Sequence, residues 1–149
     1  MVNKKYKDRL FRKIFGDEKN KEHLLELYNA LNDTEYTDSN DLEITTIDDV
    51  IYMSMKNDIS FLLDSTMSLY EQQSTFNPNM PLRGLLYFAK LYSKYISTNR
   101  FSIFTSKLTK IPTPQYYVFY NGKQEYPDRM ELKPVSYTHL RAHETRRHL

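Results

Sequence analysis

Apolar positions recur at helical spacing at the start of the chain. In Tyr6-Lys-Asp-Arg-Leu-Phe-Arg-Lys-Ile-Phe-Gly16, Tyr6, Leu10 and Ile14, with Phe11 and Phe15 one position over, form a stripe that Gly16 can stop. A second amphipathic helix is predicted from Glu22 to Leu31, where Leu24, Leu25, Leu27, Tyr28 and Leu31 are too regularly spaced for a strand. Asn32-Asp33 ends it. Residues 33–49 are polar and acidic apart from Leu42 to Ile47, which reads as a short strand or part of an ordered loop. Val50 to Met55 begins β-branched and aromatic, Lys56-Asn57 suits a turn, and Asp58 to Leu63 predicts a strand. Ser65-Thr66 reads as a tight reversal and Met67 to Gln73 as the return strand. Asn77, Pro78, Asn79 and Pro81 close that unit, with Pro81 suited to a first helical turn. From Leu82 to Tyr95 the apolar face is broad enough to lie across a sheet. Ile111-Pro-Thr-Pro114 is a stiff lead-in to a strand from Gln115 to Tyr120, which Asn121-Gly122 ends. The order is helix, helix, two or three strands, helix, strand, which predicts a small α/β domain of α+β type.

Length and composition narrow the chemistry. The 149 residues suit one domain rather than two. With no Cys, disulfide and thiolate chemistry is excluded, and the composition agrees with a reducing cytoplasm. Thirteen Tyr and 8 Phe against 3 Gly make an aromatic core, and no Walker loop or dinucleotide fingerprint is present. The longest mostly apolar stretch, Leu82 to Ile96, is broken by Arg83, Lys90, Ser93 and Lys94, which argues against a membrane span. Val2 to Lys13 is too charged for a signal peptide. The chain carries 21 Lys+Arg and 19 Asp+Glu, and residues 1–133 are balanced, with 18 of each sign. That balance disfavours a strong uniform positive field and leaves room for a local basic path.

Residues 134–149 differ in character. They hold three of the four His and show no apolar period. His139, His143 and Glu144 have the spacing to share a helical face, but nothing elsewhere supports a zinc site. A basic arm on DNA is the other functional reading. The segment also resembles a translated sequencing-adapter read-through, and it is read here as a non-native or disordered tail without function.

The candidate chemistry lies in the first hairpin. If Ser65-Thr66 is a two-residue turn, paired positions add to 131, so Asp58 faces Gln73, Ser60 faces Glu71, and Asp58 and Glu71 are diagonal neighbours. Two such carboxylates can close on one hard divalent cation, which takes oxygen ligands and keeps several waters. Gln73 can orient a water through its amide. Asp64 has the same parity but sits about 13 Å along the strand from the Glu71 partner, so it is the poorer candidate and stays open. Spacing alone leaves plain surface positions as the commoner explanation for these acids. Asp8 reads first as part of a solvated helix face and second as an aid to the site. Arg83 reads first as a surface ion pair and second as a phosphate contact. Alternation puts Tyr116, Val118 and Tyr120 on one strand face and Tyr117 with Phe119 on the other, which a strand covered on both sides explains without base stacking. Lys107, Lys110 and Lys123 flank that strand and can touch a nucleic-acid backbone.

Five blocks in one order resemble the recombination-promoting nuclease and transposase family of the PD-(D/E)XK nuclease superfamily. They are Asp8-Arg-Leu-Phe-Arg-Lys-Ile-Phe-Gly16, Lys56-Asn57-Asp58-Ile-Ser-Phe61, Leu69-Tyr70-Glu71-Gln72-Gln73-Ser74-Thr75, Asn77-Pro-Asn-Met-Pro-Leu-Arg-Gly84 and Pro114-Gln-Tyr-Tyr-Val-Phe-Tyr-Asn-Gly122. The resemblance runs from about Asp8 to Lys133. It implies a restriction-endonuclease-like core of helix, β-meander, helix and strand over residues 1–133, truncated at its C-terminus. It further implies Mg²⁺ or Mn²⁺ held by Asp58 and Glu71, with Gln73 in the place of the usual Lys, since the family's version of Glu-x-Lys is Glu-x-Gln. Asp8, Asp64 and Arg83 are accessory candidates. The implied activity is metal-dependent hydrolysis of DNA phosphodiesters in a bacterial cytoplasm, with a homodimer where both strands are cut and no membrane partner. The alternatives are an inactive DNA-binding or transposition accessory module, and a remnant of a mobile element.

Overall fold

A computed structural model describes residues 4–46 and 57–130. The β-branched and aromatic stretch that begins at Val50 and the tail from residue 134 lie outside the described residues, as does the side chain of Asp8. Helix α1 spans Lys4–Phe15 and α2 Lys21–Asn32, followed by strands β1 (Leu42–Ile44), β2 (Ile59–Leu63) and β3 (Thr66–Gln73), helix α3 (Met80–Thr98) and strand β4 (Thr113–Tyr120). The chain is thus a mixed α/β domain with a four-stranded sheet in the order β1-β2-β3-β4. The first two pairings are antiparallel; β3 and β4 are parallel, joined through α3. No helix among the described residues is long and apolar enough to cross a membrane.

Alternation along the strands divides the core in two. Ile59, Phe61, Leu63, Tyr70, Tyr117 and Phe119 face α1 and α2, where Leu24, Leu25 and Tyr28 are buried and Phe11 and Phe15 pack against them. The rings interlock edge to face, as between Tyr28 and Phe61 (5.9 Å) and between Phe61 and Tyr70 (5.1 Å). Met67, Leu69 and Tyr116 face the other way, towards α3. From Gln115 to Tyr120, β4 is half-buried on both faces, less completely covered than its alternation implied. Asp33, at φ 54, ends α2 in the left-handed region and donates its N–H to the Asn29 carbonyl.

The helices are where expected, but two of them bury other faces. On α1, Phe11 and Phe15 pack inward, whereas Tyr6, Leu10 and Ile14 are exposed. On α3 the buried stripe is Met80, Gly84, Tyr87 and Leu91, whereas Leu82, Leu85 and Leu86 are exposed. Close approach at Gly84 decides the second case, because a Cβ there would lie 2.6 Å from the Tyr116 ring. Hydrophobicity supplied apolar residues on several faces of α3, and the position without a side chain selected which one meets the sheet.

The hairpin register also differs. Asp64 and Ser65 form the two-residue turn, with Asp64 at φ 51, and Leu63 pairs with Thr66. Aspartate tolerates the left-handed region, whereas β-branched Thr66 favours a strand. Paired numbers therefore add to 129 rather than 131, as in Ile59 with Tyr70. The shift of two preserves parity. Continuing the ladder one step sets Asp58 directly opposite Glu71 rather than diagonal to it.

Candidate carboxylate site

Asp58 sits at the mouth of β2 and Glu71 near the end of β3, and both are buried, at 8% and 1% exposure. Each carboxylate accepts one main-chain hydrogen bond from the opposite strand. The Asp58 N–H donates to Glu71 Oε1 (3.0 Å), and the Gln72 N–H donates to Asp58 Oδ2 (2.8 Å). The two side chains thereby replace ladder bonds where the β2–β3 pairing runs out.

The remaining oxygen of each acid meets an arginine. Arg12, on α1, donates from Nε to Asp58 Oδ1 at 2.8 Å and places Nη2 2.7 Å from the same atom. Arg83, in the first turns of α3, donates from Nη2 to Glu71 Oε2 at 3.1 Å. The same Nη2 lies 3.1 Å from the Tyr87 hydroxyl, and the guanidinium stands 5.7 Å from the centre of the Tyr87 ring. The arginines are partly exposed, at 44% and 32%, so the cluster is rooted inside and opens to solvent through its cations.

Burial pushes the Glu71 carboxyl up to about 7, and the nearby Asp58 charge pushes the same way. The Asp58 N–H, Arg83 and Arg12 act against that rise. Near neutrality Glu71 is therefore poised between acid and carboxylate, a position that a further cation would tip towards the charged form.

The other sequence candidates are dispersed. Gln73 is half-buried, shares the Glu71 face of β3, and makes no side-chain hydrogen bond among the described residues; its carbonyl accepts the Asn121 N–H at 3.0 Å. Asp64 is exposed at the turn, six residues from Asp58 and roughly 20 Å away along the extended strand. It does not join the pair. Asp8 falls on α1, with its side chain outside the description.

Reading the sequence missed Arg12, Tyr87 and the Gln72 N–H. Arg12 stands 46 residues from the aspartate it meets, so no local signal links them. A cleft of about 790 Å³ opens on the β4 flank of α3, lined by Gly84, Phe88, Tyr116, Tyr120 and Tyr126 among others, and neither carboxylate lines it.

Among the described residues no group of three or more His, Cys, Asp or Glu side chains gathers as a ready-made cation site. The pair Asp58 and Glu71 fits a hard cation by its donor chemistry, because Mg²⁺ commonly takes one or two carboxylates and fills its other positions with water. No protein-family model, curated protein or solved structure matches the chain.

Proposed function

We propose that this chain is a metal-dependent DNA endonuclease with a PD-(D/E)XK-type core, associated with recombination or transposition and working on DNA in the bacterial cytoplasm. The observation that carries the reading is the buried, directly opposed pair of Asp58 and Glu71 at the end of a β-hairpin, with an arginine on each. Burial first and the Asp58 charge second raise Glu71, and a divalent cation shared by the two acids would favour the charged form of both.

Asp58 and Glu71 would hold Mg²⁺ or Mn²⁺, which when bound supplies an activated water and neutralises charge on the phosphate. The chain's own residues account for the rest. The Asp58 and Gln72 N–H groups fix the orientation of the carboxylates. Gln73, on the Glu71 face, orients a water through its amide but cannot take its proton. Arg12 and Arg83, once turned from the acids, offer planar donor forks to phosphate oxygens. Cleavage of both strands would need two copies of the site and so a homodimer.

A second reading has its own observation. All four carboxylate oxygens already have a hydrogen-bond donor, which also suits a structural cluster in a non-cleaving DNA-binding or transposition accessory module. Nicking of supercoiled plasmid separates the two. The wild-type protein is expected to nick in Mg²⁺ and not in chelator, and Asp58→Ala and Glu71→Ala are expected to lose this by at least about 100-fold. Equal behaviour of wild type and both variants would sink the catalytic assignment.

A further inference from the structure

The formal charge of +2 conceals a division of sign along the chain. Between Glu71 and Glu125 there is no acidic residue, while Arg83, Lys90, Lys94, Arg100, Lys107 and Lys110 precede Lys123. This segment builds α3, the loop after it and β4. The acids gather on the other side of the sequence, with Glu22 and Glu26 on α2 and Glu35, Asp38, Asp41 and Glu43 in and before β1.

Helix geometry gives the cations a direction. Arg83, Lys90 and Lys94 are spaced by seven and four residues, so at about 100° per residue they fall within about 40° of one another. They flank the buried stripe of Met80, Gly84, Tyr87 and Leu91. Arg83 begins the row at Glu71, and Lys94 stands about 16 Å further along the axis. Lys90 is half-buried, Lys94 is exposed, and neither forms an ion pair among the described residues.

We propose that this row on α3 is a track for the phosphate backbone of duplex DNA, leading to the Asp58–Glu71 pair. Its length corresponds to about five base steps at about 3.4 Å each. The identification of the polyanion as DNA rests on the nuclease reading. The track itself rests on charge complementarity and on the continuity of the row with Arg83. The loop after α3 also exposes Phe104 (93%) and Leu108 (84%) beside Lys107, features that an anionic lipid surface would equally attract. The row favours nucleic acid because it runs along the helix to the carboxylates rather than ending at those apolar tips.

The test is fluorescence anisotropy of a labelled duplex with the full chain, in chelator so that no cleavage occurs, over a range of salt. Replacing two lysines that touch phosphates lowers the salt slope by about 2 and weakens binding evenly across sequences. Lys90→Ala/Lys94→Ala is expected to do this while keeping the wild-type circular dichroism. Lys19→Ala/Lys21→Ala, beside the acids of α2, is expected to leave the slope unchanged. The proposal is overturned by an unchanged slope in the first pair, by equal losses in both pairs, or by a wild type that does not bind duplex. It is also overturned by lysine-dependent binding to vesicles of phosphatidylserine and phosphatidylcholine without binding to duplex. Failure of the nuclease reading looks different: no Mg²⁺-dependent nicking by wild type, with the lysine-dependent salt slope intact. Nicking by wild type with no slope change in the lysine variant would remove the track alone.

Discussion

Glu71 carries a proton more readily in the fold than in the open chain, with a value near 7 against 4.5 for the free side chain. A raised value means that the folded protein binds the proton more tightly. The associated stability is fully present below about pH 4.5 and is lost as pH rises through about 7. Its size is on the order of 3 kcal/mol, taking about 1.4 kcal/mol for each unit. Urea denaturation of wild type in chelator is therefore expected to show stability falling across that window. Glu71→Gln keeps the shape, removes the titration and is expected to flatten the slope there. If wild type and variant have parallel profiles, Glu71 is not the titrating group. The pairing of two acids on one hairpin was legible in the sequence because parity survives any even slip in register. Their direct opposition was not, because it depends on Asp64 rather than Ser65 opening the turn.

At the scale of elements, helices and strands could be read from periodicity, but the face that each helix buries could not. Both α1 and α3 carry apolar residues on more than one side, and tertiary partners choose between them. For α1 the choice falls on Phe11, whose ring meets Phe119 at 5.3 Å, a residue more than a hundred positions away. For α3 it falls on Gly84 against Tyr116. Gly84→Ala separates propensity from packing. Alanine favours the helix by about 1 kcal/mol, yet its methyl would press on the Tyr116 ring, and overpacking costs about 1–3 kcal/mol. The single variant is expected to be less stable in urea, and Gly84→Ala/Tyr116→Leu is expected to be more stable than Tyr116→Leu alone. A single variant more stable than wild type would show that contact with Tyr116 does not set the spacing between α3 and β4.

Across the whole molecule, folding and cation binding are linked wherever the ion recognises only the native hairpin. Mg²⁺ is expected to raise Tm more at pH 8 than at pH 5.5, because Glu71 must yield its proton near 7 before both carboxylates are charged. Asp58→Asn is expected to abolish the increment at both pH values. An increment of equal size in the variant would place the ion elsewhere. The four charged groups belong to α1, the mouth of β2, β3 and α3, and so to both layers that cover the sheet. They act as a rivet driven through the domain. Drawing either arginine from its acid would leave a buried carboxylate without its cation, so a disturbance at one helix reaches the strand ends against which the other is anchored.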